Sequence, residues 1–399
     1  MTNLDSVVVR AQRRIMITIM LSCFMALASC GGEEGSASPS PVVSVPASNA
    51  PTPVPVPTPT PAPAPSPTAE PARSGSELIA EIPSNFAVAS QLGKYRSTAS
   101  NAPDVVGAFR FLCGPGDVKR FDPIVYPGEQ NAGHLHQFFG NTEPSPDSTY
   151  ESLRTTGDST CQNKLNRSAY WVPALLNGEG QAIRPRHASI YYKRRPASDP
   201  FCTQASKKGC VGQPHGIKYI IGYDMLGGET TGGPYINCKG DKYADFDEMI
   251  AHCGDITEFK LIVNSLDCWD GKHLDTPDHR AHISGMIRGR ETNYQSQCPD
   301  GYDYIIPRFT LSIAYILPPG TDVTKLSLAS DHHAGTKPGG SFHADLWDAW
   351  DGPTKKAWTE NCLDRMLNCS DGNLGDGTIM ARGPYYPTDN YKVLVPIPE

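Results

Sequence analysis

Histidines spaced two apart, and histidines placed beside aspartates, are the residues of this chain with the most chemistry to offer. Gly133-His134-Leu135-His136 is the first such stretch. The second runs Cys268-Trp269-Asp270-Gly271-Lys272-His273-Leu274-Asp275, then Asp278-His279-Arg280-Ala281-His282. The third is Ser330-Asp331-His332-His333, followed by His343-Ala344-Asp345. Imidazole binds metals and moves protons near neutral pH. Residues two apart in a strand share a face. His134 and His136 therefore point the same way on a strand, and so do His343 and Asp345. Such pairs suit a divalent ion such as copper, zinc or manganese. His279 and His282 stand where a turn would enter a strand over 281–287. The candidate metal ligands are thus His134, His136, His279, His282, His343 and Asp345. They are expected to converge in one cleft, although no helical HExxH pattern fixes the metal.

The same groups support two other readings. One is metal-free acid–base catalysis, in which a carboxylate orients a histidine and stabilises its cation. Asp331 beside His332, or Asp345 beside His343, would form such a pair. Asp270 and Asp275 fit the paired carboxylates of glycoside hydrolysis. The other reading is structural: aspartates in loops commonly stabilise tight turns. Trp269, Trp347 and Trp350 offer flat faces on which sugar rings stack, or they pack in the core. The run Asp371-Gly372-Asn373-Leu374-Gly375-Asp376-Gly377 is rich in oxygen donors but lacks the EF-hand order, and reads as a plain loop. There is no GxSxG elbow, P-loop or Rossmann fingerprint.

The elements that must position these groups read mainly as strands. Runs over 108–112, 135–139, 170–176, 188–193, 218–223, 259–263, 302–306 and 309–317 lie between Gly, Pro and Asp turns. A helix is predicted over 353–367, where Trp358, Cys362 and Met366 recur every four residues. Residues 76–99 suit either a short helix or a packed arm. Residues 100–399 are expected to form a single, mainly β domain, a β-sandwich or jelly-roll-like fold with few helices.

The N-terminus reads as an export signal. Arg10, Arg13 and Arg14 precede an apolar run over 15–27, too short to span a membrane comfortably. It ends in Leu27-Ala28-Ser29-Cys30, the pattern of a bacterial lipobox. Residues 1–29 are thus expected to be a lipoprotein signal peptide and Cys30 the lipidated residue. This puts the domain on the bacterial membrane, facing the periplasm or the exterior (the outer membrane in a Gram-negative cell). Residues 30–99 comprise the lipidated start, a Pro-rich linker and the arm. The linker favours extended polyproline II and would reach roughly 100 Å.

Of 12 cysteines, ten follow Cys30, an even number that suggests up to five disulfides in an oxidising compartment. Cys202 with Cys210 and Cys362 with Cys369 are plausible neighbour pairs. The formal charge is -7, and no basic stripe or RNA-type aromatic motif is visible, so nucleic acid is not expected as a partner.

Several motifs, in order, resemble the DUF1996 family. They are Asp122-Pro123-Ile124-Val125, Gly133-His134-Leu135-His136, Tyr170-Trp171-Val172-Pro173, and the segment from Cys268 to His282. Cys298-Pro299, His343-Ala344-Asp345 and Trp350-Asp351 complete the pattern. The resemblance spans roughly 105–370. It implies an exported domain found in bacteria and fungi, where fungal relatives often carry carbohydrate-binding WSC domains. It implies no reaction. Near Cys161 relatives often carry two close cysteines and this chain has one.

The expectation is a surface-anchored lipoprotein acting on an extracellular or cell-wall polysaccharide. Its His/Asp-rich cleft would work by hydrolysis or elimination, with a divalent metal ion as the candidate cofactor. The alternative is a non-catalytic glycan-binding or wall-associated module.

Overall fold

A computed structural model describes residues 79–94, 99–292, 295–383 and 392–398, all within the unit Pro67–Glu399. The expected export signal, Cys30 and the Pro-rich stretch lie outside the described residues. Strand outweighs helix, 31% against 14%, so the mainly β expectation holds.

Nine strands of four residues or more carry the domain: β1 Gly107–Cys113, β2 His136–Gly140, β3 Ala169–Pro173, β4 His187–Arg194, β5 Lys218–Gly222, β6 Tyr235–Cys238, β7 Glu258–Asn264, β8 Arg308–Ile316 and β9 His343–Trp347. They form two sheets. The larger has eight strands in the order Asp241–Tyr243, β6, β7, β8, β4, β1, Leu367–Cys369, Ser100–Asn101. The smaller has five in the order β5, β9, β3, β2, Val118–Lys119. Adjacent strands pair antiparallel except Leu367–Cys369, which runs parallel to β1.

One core unites the sheets. Phe109, Ile190, Leu261 and Leu311 of the large sheet share it with Phe139, Tyr170, Tyr219 and Leu346 of the small one. Alternation explains the large sheet: β7 and β8 bury every second residue and leave the others wetter. The small sheet is covered twice. Its strands β2, β3 and β9 are buried at every position. Its second face, bearing Phe138, Trp171 and Trp347, packs under Phe121, Ile124 and the helix Tyr150–Thr155. Ile79 and Ile82 of the N-terminal segment press against the same layer. That segment is a packed arm. The buried guanidinium of Arg154 donates to Ile82 O at 3.1 Å and to Ser84 Oγ at 2.9 Å.

All ten domain cysteines pair: Cys113–Cys161, Cys202–Cys210, Cys238–Cys253, Cys268–Cys298 and Cys362–Cys369. Both neighbour pairs expected from the sequence form, and the lone Cys161 joins Cys113.

Three expected elements are shorter than predicted, and the strand over 302–306 is reduced to Tyr304–Ile305. The helix over 353–367 is Gly352–Trp358 followed by a wider turn at Thr359–Leu363. Trp358, Cys362 and Leu363 face the core as their spacing predicts. Leu367–Cys369 instead joins the large sheet, and Met366 at φ 52° makes the break. The strand over 281–287 is reduced to Ile283–Ser284, paired with Cys268–Trp269.

Candidate metal centre

The second face of the small sheet carries the site. His136 begins β2, and His343 and Asp345 sit on β9 with β3 between. The register sets Asp345 opposite Trp171 and His136 opposite Pro173. His136 and Asp345 thus flank one stretch of β3 and lean over it. His134 precedes the strand, in a bend after Gly133 at φ 80°, so the two histidines of the His-x-His pair do not share one strand. Their rings nonetheless meet, with centroids 4.2 Å apart, and His343 lies 5.0 Å from His134. Asp122, in the loop above, brings a carboxylate oxygen to 4.0 Å from His136 Nε2.

These groups form two overlapping sets. His134, His136 and His343 offer ligand atoms within 4.8 Å of one another, and so do Asp122, His136 and Asp345. His136 belongs to both. All five side chains are buried; His134, the most accessible, is 8% exposed.

Hydrogen bonds select the tautomers. His136 Nδ1 lies 2.9 Å from Phe121 O, and His343 Nδ1 lies 2.8 Å from Ser341 O. A carbonyl only accepts, so each Nδ1 carries the proton and each Nε2 keeps a bare lone pair. That is the arrangement a metal-binding histidine needs. The imidazoles are held neutral. Burial, then neighbouring His136 and Arg280, pulls His343 down to about 3 despite its bond to Ser341. Burial also lowers His134 and His136. Asp345 moves the other way: burial, then the charge of Asp122, raises it well above the carboxylate range.

The satisfaction of these groups is incomplete. His134 Nε2, His136 Nε2 and both carboxylate oxygens of Asp345 are buried with no hydrogen-bond partner. Each unpartnered buried polar atom costs about 1–3 kcal/mol. Four of them lie in the two sets that meet at His136, and a shared cation would give them a partner. Three neutral nitrogens with adjacent carboxylates suit zinc, copper(II), manganese or iron(II).

Asp122 and Arg280 are members of this neighbourhood that spacing alone did not single out. Arg280 donates to Tyr223 O at 2.8 Å and to Gly222 O at 3.3 Å. Gly222 pairs with His343, so the guanidinium hangs beside the centre and acts on both His343 and Asp345. Gly222 has to be glycine: at φ 94°, a Cβ would stand 2.6 Å from His343 Cα. The signal for Arg280 lay inside Asp278-His279-Arg280-Ala281-His282. In that motif the arginine, rather than a histidine, reaches the centre.

His279 and His282 belong to neither ligand set. His279 Nδ1 bonds Asp275 at 2.7 Å, and Lys218 Nζ lies 3.0 Å from the other oxygen of Asp275. His282 is fully buried, with Nδ1 3.0 Å from Thr276 Oγ1, and burial lowers it to about 4. The expected convergence of these two with the other clusters is therefore not what the contacts show. Asp270 bonds His273 and caps the turn through Lys272 N and His273 N. Asp270 and Asp275 each engage their own histidine.

Asp331 accepts from Leu328 N, Gly339 N and the Ser341 hydroxyl, so its carboxylate organises a loop instead of pairing with His332. His343 and Asp345 share a face without a hydrogen bond between them. The three tryptophans are buried. Trp350 packs edge-on to Phe111, Trp269 donates to His273 O at 2.7 Å, and Trp347 lies under the Lys218 ammonium at 4.6 Å. Protein already covers their faces, which corrects the expectation of stacking platforms.

A disulfide-stapled β-sandwich with a buried histidine–aspartate centre on its smaller sheet is the class that fold and site define. The family model described as "Domain of unknown function (DUF1996)" matches residues 122–350, more than half of the chain, and the chain belongs to that family. All five groups of the centre fall inside the matched segment. No curated protein and no solved structure matches the chain.

Proposed function

We propose that this protein is an exported, lipid-anchored metalloprotein whose His/Asp centre holds a divalent transition-metal ion. Its reaction is hydrolysis or elimination on an extracellular or cell-wall polysaccharide. The supporting observation is that His134 and Asp345, with unpartnered buried atoms, each lie within ligand distance of His136, whose Nε2 is unpartnered too. A cation there would satisfy the lone pairs and offset the carboxylates in one step, which waters do only in part.

The roles follow from the surroundings. His134, His136 and His343 would hold the ion, which would supply a Lewis acid there. Asp345, held protonated by burial and by the charge of Asp122 while no cation is bound, would lose that proton as the ion binds and offset its charge together with Asp122. Asp122 accepts from Ile124 N and Val125 N, which fixes it in place beside His136. A second reading is favoured by the burial of all five groups, which suits an ion that braces the fold of a non-catalytic glycan-binding module.

Turnover separates the two. The metal-loaded chain should release reducing ends or unsaturated sugars from a surface polysaccharide preparation, and His136→Ala should not. Metal binding without turnover on any such preparation would leave the bracing role. The anchor has its own test: Cys30→Ser should move the protein from the membrane to the soluble fraction. Retention on the membrane would remove the lipid from the proposal.

A further inference from the structure

The outward face of the eight-stranded sheet is unlike the rest of the molecule. Core-facing positions alternate with outward ones along each strand. The outward ones carry Arg110 on β1, Lys193 on β4, Lys260 on β7, Arg308 on β8 and Lys242 on the edge strand. Glu258 is the single carboxylate among the outward strand positions of the described residues. The whole chain carries -7, so this face opposes the sign of the protein.

Register places these cations in rows. Lys242 lies opposite Asn237, which lies opposite Lys260. Arg308 lies opposite Lys193, and Arg110 opposite Tyr191. Neighbouring strands are about 4.8 Å apart, so the charges spread over a plane instead of sharing one point. Among the described residues none of the five sits in an ion pair within 4.0 Å. Three lie over tyrosine rings instead: Arg110 and Lys193 at 5.1 and 5.3 Å from Tyr191, and Lys242 at 4.5 Å from Tyr235. An aromatic face orients a cation without neutralising it. The local field shows on His187, in the row of Lys260. It is lowered by burial, then by Arg186, Arg110 and Lys260, with no carboxylate opposing them.

We infer that this sheet face binds an acidic polysaccharide, a chain bearing carboxylates at regular intervals. Charge complementarity carries the inference: a flat plane of cations with no ion pair within 4.0 Å among the described residues, interleaved with Tyr191, Tyr235, Ser189, Ser312 and Thr310, fits an extended anionic chain that also offers hydroxyls. The face is on the opposite side of the sandwich from the metal centre. It does not depend on the metal, and it serves to hold the domain on a polymer layer.

The test uses the full chain without added metal, so its outcome is independent of the metal centre. Polygalacturonate is the probe, dextran the neutral control, and DNA and phosphatidylglycerol vesicles the other polyanions. At about 50 mM salt, where screening is weak, the chain should bind polygalacturonate and not dextran. Lys193→Glu/Lys242→Glu/Lys260→Glu should weaken binding at least about tenfold by reversing the local potential. All three lysines are exposed, so the fold should persist, and the matching triple Lys→Arg variant should bind as the parent does. Four results would each overturn the inference. They are absent binding to polygalacturonate, equal binding to dextran, undiminished binding by the charge-reversed variant, or tighter binding to DNA or vesicles than to polygalacturonate.

Discussion

Loading the full chain with Co(II) or Zn(II) and removing free metal should leave one ion per molecule, and His136→Ala should leave none. One ion is expected because the two ligand sets share His136, and its Nε2 has a single lone pair to give. Removing that ring breaks both sets at once. His343→Ala removes a ligand from one set only, so it should weaken binding while leaving a residual site through Asp122, His136 and Asp345. The bound ion should also stabilise the fold. At a free concentration a thousand times Kd, a ligand of the native state alone adds about 4 kcal/mol. Elemental analysis gives the stoichiometry. The visible spectrum of the cobalt form tells nitrogen-rich coordination from loose surface binding. A parent chain that retains no ion after dialysis would mean that protons and water satisfy Asp345 and the imidazoles, and the metal proposal would fall.

The legible and illegible parts of this chain differ for a physical reason. Strands with one wet face announce themselves by alternation: β4, β7 and β8 fall within a residue or so of their predicted bounds. Strands buried on both faces carry no such period. β9 shows only as a His-x-Asp spacing; β6 does alternate, but over four residues the period is too short to read. The centre was half legible for a related reason. His134, His136, His343 and Asp345 could be found because titratable groups stand out among apolar neighbours. Asp122 could not be placed there, since Asp-Pro reads as a turn and its carboxylate does cap one. The histidines of the second cluster misled because local partners claim them: Asp275 takes His279, and Thr276 takes His282. Spacing shows which groups could meet, while the placement of their strands and loops decides which do: His282 also keeps an unpartnered buried Nε2, but belongs to neither ligand set. The tryptophans failed as sugar platforms on similar grounds, because a large ring near an aromatic core gains more by burial than by waiting for a ligand.

Replacing the Cys113–Cys161 pair by alanines should destabilise the domain by about 4 kcal/mol, and it should loosen the metal centre as well. The bridge closes a segment of 48 residues, the longest of the five. Loop-closure entropy grows with length, and the chain-entropy estimate for that span is about 4 kcal/mol at 25 °C. The segment holds Asp122, His134 and His136, three of the five groups of the centre. His343 and Asp345 lie outside it, on β9. Cys113 ends β1 of the large sheet, so the bridge fastens the segment to the opposite half of the sandwich. Without it, the pairing of β2 with β3 and the backbone bonds of Gly114 N to Thr160 O and Gln162 N to Leu112 O are left to hold the histidines in register with β9. Denaturant unfolding followed by tryptophan fluorescence gives the stability difference, and cobalt titration of the same variant gives the affinity. Removing the Cys202–Cys210 bridge, which spans 8 residues away from the centre, is the control. It should lower stability by less and leave cobalt affinity unchanged. Equal losses of affinity in both variants would show that the centre responds to global stability alone, and not to the anchoring of the segment that carries its histidines.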